Sequence, residues 1–187
     1  MIGRDGVIGS TVILGVRTST FSHFVQIGGK ALRISVQDLE RSLAELPRLC
    51  EVLQGYLHLS LMQSSQAVAC SLRHPFEQRL ACWLLTAHDR SDMDQLPITQ
   101  DLLARSLGVR RPTVSGAFKL LQERGVFAKD RGRIRILDRA GLERIACRCY
   151  RAMCRHGDAW KRSKAGRKTI AALSLIWALF EIELAVQ

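Results

Sequence analysis

The sequence lacks four things whose absence narrows what the chain can be. It has no apolar run long enough to cross a bilayer: the uncharged stretch Thr169 to Phe180 meets Glu181 and Glu183 too soon. It has no secretory leader pattern, because "MIGRDGVIGSTVILG" carries one arginine and no unbroken apolar core. Its six cysteines follow no disulfide-framework spacing, so a reducing, cytoplasmic setting is expected. It also lacks a catalytic constellation. There is no Ser/His/Asp grouping, no Walker-type loop and no HExxH-like helix, and a lone "GRDG" is too weak to stand for one. A binding protein is expected rather than an enzyme.

What is present begins with charge. Lysine and arginine number 28 against 17 acidic residues, for a net charge of +11. Residues 1–94 hold nine basic and nine acidic groups, while residues 95–187 hold nineteen and eight, so the whole excess lies in the second half. A one-sided basic excess points to nucleic acid or an anionic membrane surface, since a basic face gains by releasing counterions condensed on phosphates. A merely basic domain is the plainer alternative. Cys147, Cys149, Cys154 and His156 stand close together, but C-x-C-x4-C-x-H matches no structural zinc spacing. They are expected to be core or surface thiols, and no metal or cofactor is assigned.

The chain of 187 residues is 47% hydrophobic, enough for one compact domain or two small ones. Residues 1–36 read as short strands, "VILGV", "FSHFVQI" and "ALRISV", separated by Gly-rich or Ser/Thr-rich connections. From Gln37 the period becomes helical. "QDLERSLAEL" is followed by Pro47 and a run from Arg48 to about Arg73 that holds one glycine and no proline. Leu49, Leu53, Leu57 and Leu61 recur every four residues, a stripe that suits either a core helix or pairing with a second copy. His74-Pro75 ends that helix. "FEQRLACWLLTAHDR" starts another, with Leu80, Trp83, Leu84 and Ala87 on one face, and "SDMDQLP" reads as a polar connector.

The densest signal is "LPITQDLLARSLGVRRPTVSGAFKLLQERG". Thr99 is a good N-cap for a short helix to about Ser106, Gly108 can take the left-handed turn, and Pro112 suits the first turn of a second helix starting near Arg111. Two helices joined by so short a Gly-containing turn form a helix-turn-helix. Ala104 then sits where the helices cross, and Leu103, Leu107, Val109, Val114 and Ala117 fall at the positions that must be apolar. The outward face of the second helix becomes small, polar and cationic: Arg110, Arg111, Pro112, Ser115, Gly116 and Lys119. After Gly125, "VFAKDRGRIRILD" reads as a hairpin turning at Asp130-Arg131-Gly132, with Ile134 and Ile136 on one face and Arg133 and Arg135 on the other. Such a hairpin behind a helix-turn-helix is a wing. Thr99, Gln100, Arg110, Arg111, Thr113, Ser115, Gly116, Lys119, Arg131 and Arg133 are the residues expected to meet DNA.

The stretch from "LPITQDLLARSLGVRRPTVSG" to "AGLERIACRCY", with "RHPFEQRLACWLL" and the long helix before it, resembles the Crp/Fnr superfamily of bacterial transcription regulators. "IGRDGVIGSTVILG" and "ALRISVQDL" are similar to the last third of that family's effector-binding β-roll. The resemblance implies an α+β, mostly helical chain in four parts. These are a β-roll remnant (1–36), a short helix and dimerisation helix (37–73), a winged helix-turn-helix (74–150) and a basic, then apolar C-terminal extension (151–187). It implies a homodimer on double-stranded DNA, paired along Leu49, Leu53, Leu57 and Leu61, with RNA polymerase as a candidate further partner.

Three departures from the family qualify what carries over. Where cyclic-nucleotide-binding members have Arg-Glu and a further Arg on the recognition helix, this chain has Arg111, Pro112 and Gly116, so Arg111 carries over as a base reader toward a different target. The roll is too small to close a nucleotide pocket, and Arg17-Thr18, with no Glu before it, is the nearest match to the phosphate-holding pattern; neither cyclic AMP nor an iron–sulfur cluster is expected. Residues 157–187 exceed the family's usual end. They leave two other readings open: a membrane-surface or interaction protein using "KRSKAGRK" and the helix after it, or a thiol or metal sensor.

Overall fold

The structure is a computed structural model and describes residues 1–3, 6–19, 22–91 and 93–162. The chain divides into two units, one built on Ser65–Met153 with the first residues, the other on Gly6–Ser64 with the chain from Cys154 onward.

In the second of these units, the residues expected as strands are not strands. Ser10–Leu14 is a short 3-10 helix between Gly9 and Gly15, both left-handed at φ 75° and 79°. The described residues of 21–27 and all of 31–35 carry no strand. A β-prone segment becomes a strand only when a neighbour takes up its backbone hydrogen bonds, and no such ladder forms among the described residues of this segment. Helix α1 (Val36–Glu45) opens at Ser35, whose hydroxyl oxygen accepts the Asp38 N–H at 3.1 Å. Arg17 donates to both Glu40 carboxylate oxygens, at 2.9 and 2.7 Å.

Helix α2 (Pro47–Arg73) covers 27 residues, about 40 Å at 1.5 Å per residue. Its one glycine, Gly55, lies under the Trp160 indole, whose nitrogen would be 2.6 Å from an added Cβ. Along the helix Leu49, Leu53 and Leu57 are half-buried and Leu61 is exposed, as are Met62, Val68 and Leu72.

The other unit holds the main core. Pro75 sets the chain extended and α3 (Phe76–Asp89) follows. Leu80, Ala81, Cys82, Leu84, Leu85 and Ala87 are buried on it. Trp83, expected on the inner face, is only half-buried, while Ala81 and Cys82 are buried. The expected polar connector contains strand β1 (Gln95–Leu96). Helices α4 (Gln100–Leu107) and α5 (Arg111–Glu123) come next, then strands β2 (Phe127–Asp130) and β3 (Arg133–Ile136). The three strands form one antiparallel sheet in the order β1-β3-β2, with β3 central.

Helix α6 (Arg139–Ile145) is capped by Asp138, whose carboxylate accepts the Gly141 N–H at 2.8 Å. Helix α7 (Arg148–Arg162) then crosses the boundary expected at residue 150. The fold is α+β and mostly helical. Fully buried Leu80, Leu84, Leu96, Ile98, Leu103, Val114, Phe118, Phe127, Ile134 and Leu142 join every element from α3 to α6 in one core. On its margin Arg139 donates to Asp89 (2.7 Å), Glu143 (3.0 Å) and the Tyr150 hydroxyl (2.7 Å), tying α6 to α3 and α7. Burial opposes the Arg139 charge, but Asp89 outweighs it and the guanidinium is held above its ordinary pKa.

No helix among the described residues is long and apolar enough to cross a membrane. Of the basic run "KRSKAGRK" only Lys161 and Arg162, at the end of α7, are described; the rest of the run and the apolar helix expected after it lie outside the described residues.

Candidate nucleic-acid interface

The helix pair is built from local signals that all agree. Thr99 is extended, and its hydroxyl oxygen accepts the Leu102 N–H at 3.2 Å, which starts α4. Gly108, at φ 66°, ends it; the Ala104 carbonyl takes the N–H groups of Gly108 and of Val109. Any L side chain at Gly108 would be strained in that left-handed conformation. From α3 the Arg79 guanidinium donates to the Leu107 carbonyl at 2.7 Å, placing a cation on the negative end of α4. Three residues, Gly108 to Arg110, separate the helices, and α5 begins at Arg111 with Pro112 in its first turn.

The expected inner residues are inner. Leu103 and Val114 are fully buried, Ala104 and Ala117 nearly so, and Leu107 and Val109 half-buried. Phe118, one place beyond that pattern, meets Phe127 edge to face with ring centroids 5.0 Å apart. This contact fastens α5 to the sheet. Its signal in the sequence was the apolar pair Phe118 and Leu121 continuing the α5 stripe.

The expected outer residues are outer. Arg110, Arg111, Pro112, Thr113, Ser115, Gly116 and Lys119 are exposed, as is Thr99, and Gln100 is half-buried. Ser115 donates to Gln100 at 3.1 Å and to the Arg111 carbonyl at 3.2 Å, which links the starts of α4 and α5. Arg111 lies 3.5 Å from Asp101, an exposed pair that solvent weakens and that leaves the guanidinium free to exchange partners. No side chain caps the N-terminus of α5. Beyond its own turn of helix, nothing among the described residues lies within 4 Å of where a Gly116 Cβ would stand. Internal packing therefore does not account for a helix glycine that costs roughly 0.5–1 kcal/mol against alanine.

The wing is a two-residue hairpin. Asp130 pairs with Arg133, and Arg131 and Gly132 form the turn with φ 43° and 81°. Two consecutive positive φ values match the right-handed twist of the flanking strands. Arg131 is the one non-glycine residue with positive φ among the described residues. Ile134 is fully buried and Ile136 half-buried, while Arg133 and Arg135 face outward, with Gln95 of β1 opposite Arg135. β1 escapes a reading by pattern, since two residues carry no period.

A second group of reactive side chains gathers away from this surface. Of the cysteines expected as a sequence cluster, Cys147 and Cys149 are buried, whereas Cys154 and His156 are not part of the group. Their neighbours are Cys70 and Cys82, from α2 and α3. Burial pushes the Cys82 thiol up to about 12, and raises Cys70 and Cys149 as well. Burial opposes ionisation of Cys147 too, but hydrogen bonds from Cys82 and Cys70 outweigh it and bring that thiol below its ordinary value.

Three helices and a three-stranded antiparallel sheet, with α4 and α5 joined by a three-residue turn and β2-β3 behind them, define a winged helix-turn-helix. Residues 78–145 match the Crp-like helix-turn-helix domain family. Among solved structures the chain is similar to a CRP-family transcriptional regulator from Thermus thermophilus, at 23% identity and a TM-score of 0.41. That match covers 60% of this chain and 55% of the other, so the chain spans little more than half the length of that regulator. No curated protein matches the sequence.

Proposed function

We propose that the protein is a sequence-specific transcription regulator that binds double-stranded DNA as a homodimer, with α5 in the major groove and the β2-β3 wing against the phosphate backbone. The observation that carries this reading is the exposed face of α5. Arg111, Thr113, Ser115, Gly116 and Lys119 project from a helix locked on its other side by Val114, Ala117, Phe118 and Leu121. Arginine pairs two-pronged with guanine, threonine and serine reach phosphate or base edges, and lysine suits phosphate. Gly116 fits the same reading, because a missing side chain lets the helix backbone approach the duplex closely.

Pairing of two copies along α2 is supported by its exposed apolar residues. Leu61 and Leu72 are 66% and 80% exposed, and with Val68 they recur at intervals of seven and four, the spacing of one face of a helix. They extend the expected seam beyond Leu61. Leu49, Leu53 and Leu57 lie half-covered within the chain itself and offer less to a partner. A degenerate sensor in residues 1–36 rests on the sequence resemblance. Arg17, the nearest candidate for holding a nucleotide phosphate, is already paired with Glu40.

Selection from a random duplex pool at near-physiological salt tests the proposal, since only there do nonspecific phosphate contacts stop masking base readout. Enrichment of a palindrome with half-sites about one helical turn apart is the expected result. Binding without a motif that vanishes as salt rises would refute it. Arg111→Ala should cost about 1–3 kcal/mol at the selected site and relax one base position, whereas Arg133→Ala should weaken all sequences alike and flatten the salt dependence. Leu61→Glu with Leu72→Glu should yield monomers by light scattering.

A further inference from the structure

Four buried cysteines from three separate parts of the chain come together around Cys147. Cys70 comes from the end of α2, Cys82 from the middle of α3, and Cys147 and Cys149 from the junction of α6 and α7; all are at most 9% exposed. The Cys147 sulfur lies 3.2 Å from that of Cys82 and 3.4 Å from that of Cys70. The sulfurs of Cys70, Cys147 and Cys149 all fall within 4.8 Å of one another. Gln66, one turn before Cys70 on α2, aims its side-chain N–H at the Cys149 sulfur at 3.0 Å.

Scattered core cysteines behave as small apolar groups and have no reason to seek each other. Here they converge across 77 positions of sequence. Zinc–sulfur bonds of about 2.3 Å put tetrahedral ligand sulfurs about 3.8 Å apart, and the sulfurs of Cys70, Cys147 and Cys149, within 4.8 Å of one another, already lie near that spacing. An amide N–H directed at a sulfur is also the kind of support that orients a thiolate bound to a metal.

We infer that Cys70, Cys147 and Cys149 form the core of a thiolate site for a soft d10 metal ion, zinc being the ion that such a set takes, with Cys82, whose sulfur lies 3.2 Å from that of Cys147, closing on the ion as the fourth ligand. The four ligands include Cys147 and Cys149 from the C-x-C pair but neither Cys154 nor His156. They replace the sequence-local zinc pattern with one assembled by the fold, between residues spaced 12, 65 and 2 apart. Sulfur ligands without imidazole or carboxylate favour thiophilic ions over magnesium, calcium or manganese. The ion joins the end of α2 to α3 and to the start of α7, all within the unit that carries the helix-turn-helix. It is distinct from the DNA surface, so the regulator reading and the metal site stand or fall separately.

The test uses the full chain purified under reducing conditions, with metal content measured and the chain then stripped and titrated with cadmium, cobalt or zinc. One equivalent of zinc on the purified chain, one equivalent of a cadmium–thiolate absorption band, and cobalt bands of tetrahedral form are expected. The melting temperature should rise with zinc and level off at one equivalent. Cys147→Ser should abolish the bands, Cys50→Ser and Cys154→Ser should keep them, and Gln66→Ala should weaken zinc binding about 10–100-fold. Should Cys147→Ser fail to fold, Cys149→Ser gives the same reading. No stoichiometric band, a band retained in both serine variants, or a Cys82–Cys147 disulfide formed in place of metal uptake would overturn the site.

Discussion

Residues 12–36 and residues 126–137 read alike as sequence and fold unalike. Both alternate apolar and polar residues between turn-forming positions. "RIRI" becomes the central strand of a sheet, while "ALRIS" forms no strand. The difference lies in what each can pair with and rest on. Ile134 is fully buried in a core that Phe118 and Phe127 help to build, and β3 has a hydrogen-bonded neighbour on either side. Ile34 is 55% exposed, as are its apolar neighbours Phe24 and Val25 to similar degrees. Strand propensity describes a fit to a half-buried pleated surface, and where no such surface exists it has nothing to act on.

The sharpest way to break this comparison is a matched pair of substitutions. Ile134→Ala should destabilise the protein by about 2–5 kcal/mol in urea unfolding, whereas Ile34→Ala should stay within about 0.5 kcal/mol of the parent. Equal losses would mean that the first segment has a packing partner. The two arginine ion pairs extend the contrast at a smaller scale. Arg139→Ala removes a half-buried hub on four partners, His88, Asp89, Glu143 and Tyr150, and should cost about 1–2 kcal/mol, while Arg17→Ala, which opens an exposed pair with Glu40, should cost about 0–1 kcal/mol. The smallest effect has the opposite sign. Arg131→Asn relieves a left-handed arginine and should stabilise the fold by about 0.5–1 kcal/mol while weakening binding to every duplex. A variant that binds DNA as well as the parent would remove Arg131 from the interface.

These contrasts also explain which parts could be read in advance. Thr99, Gly108 and Pro112 act on the backbone within a few residues of themselves, so the helix-turn-helix stands in the sequence almost to the residue. The outward set on α5 followed from the helical period alone. Asp138 ahead of "RAGLERI" is a capping signal of the same local kind, legible in principle, though the seven-residue helix it starts is too short to show a period. The pairing of β1 with β3 joins residues 40 apart, from Gln95 to Arg135, through two rungs of a ladder, too short to leave a pattern. The meeting of Cys70, Cys82, Cys147 and Cys149 depends on how three helices close, which no spacing along the chain encodes.

The register of the wing carries a last consequence, one of commensurate lengths. Arg133 and Arg135 are two residues apart on the same side of an extended strand, about 6.8 Å at 3.4 Å per residue. Successive phosphates on one DNA strand advance about 3.4 Å along the duplex axis while turning about it, which leaves neighbours about 7 Å apart, so every second strand residue keeps step with each successive phosphate. The turn at Arg131-Gly132 sets the phase of that match. Inserting one residue there would not merely shift the cations. It would invert the strand, turning its arginines into the core and its isoleucines toward the solvent.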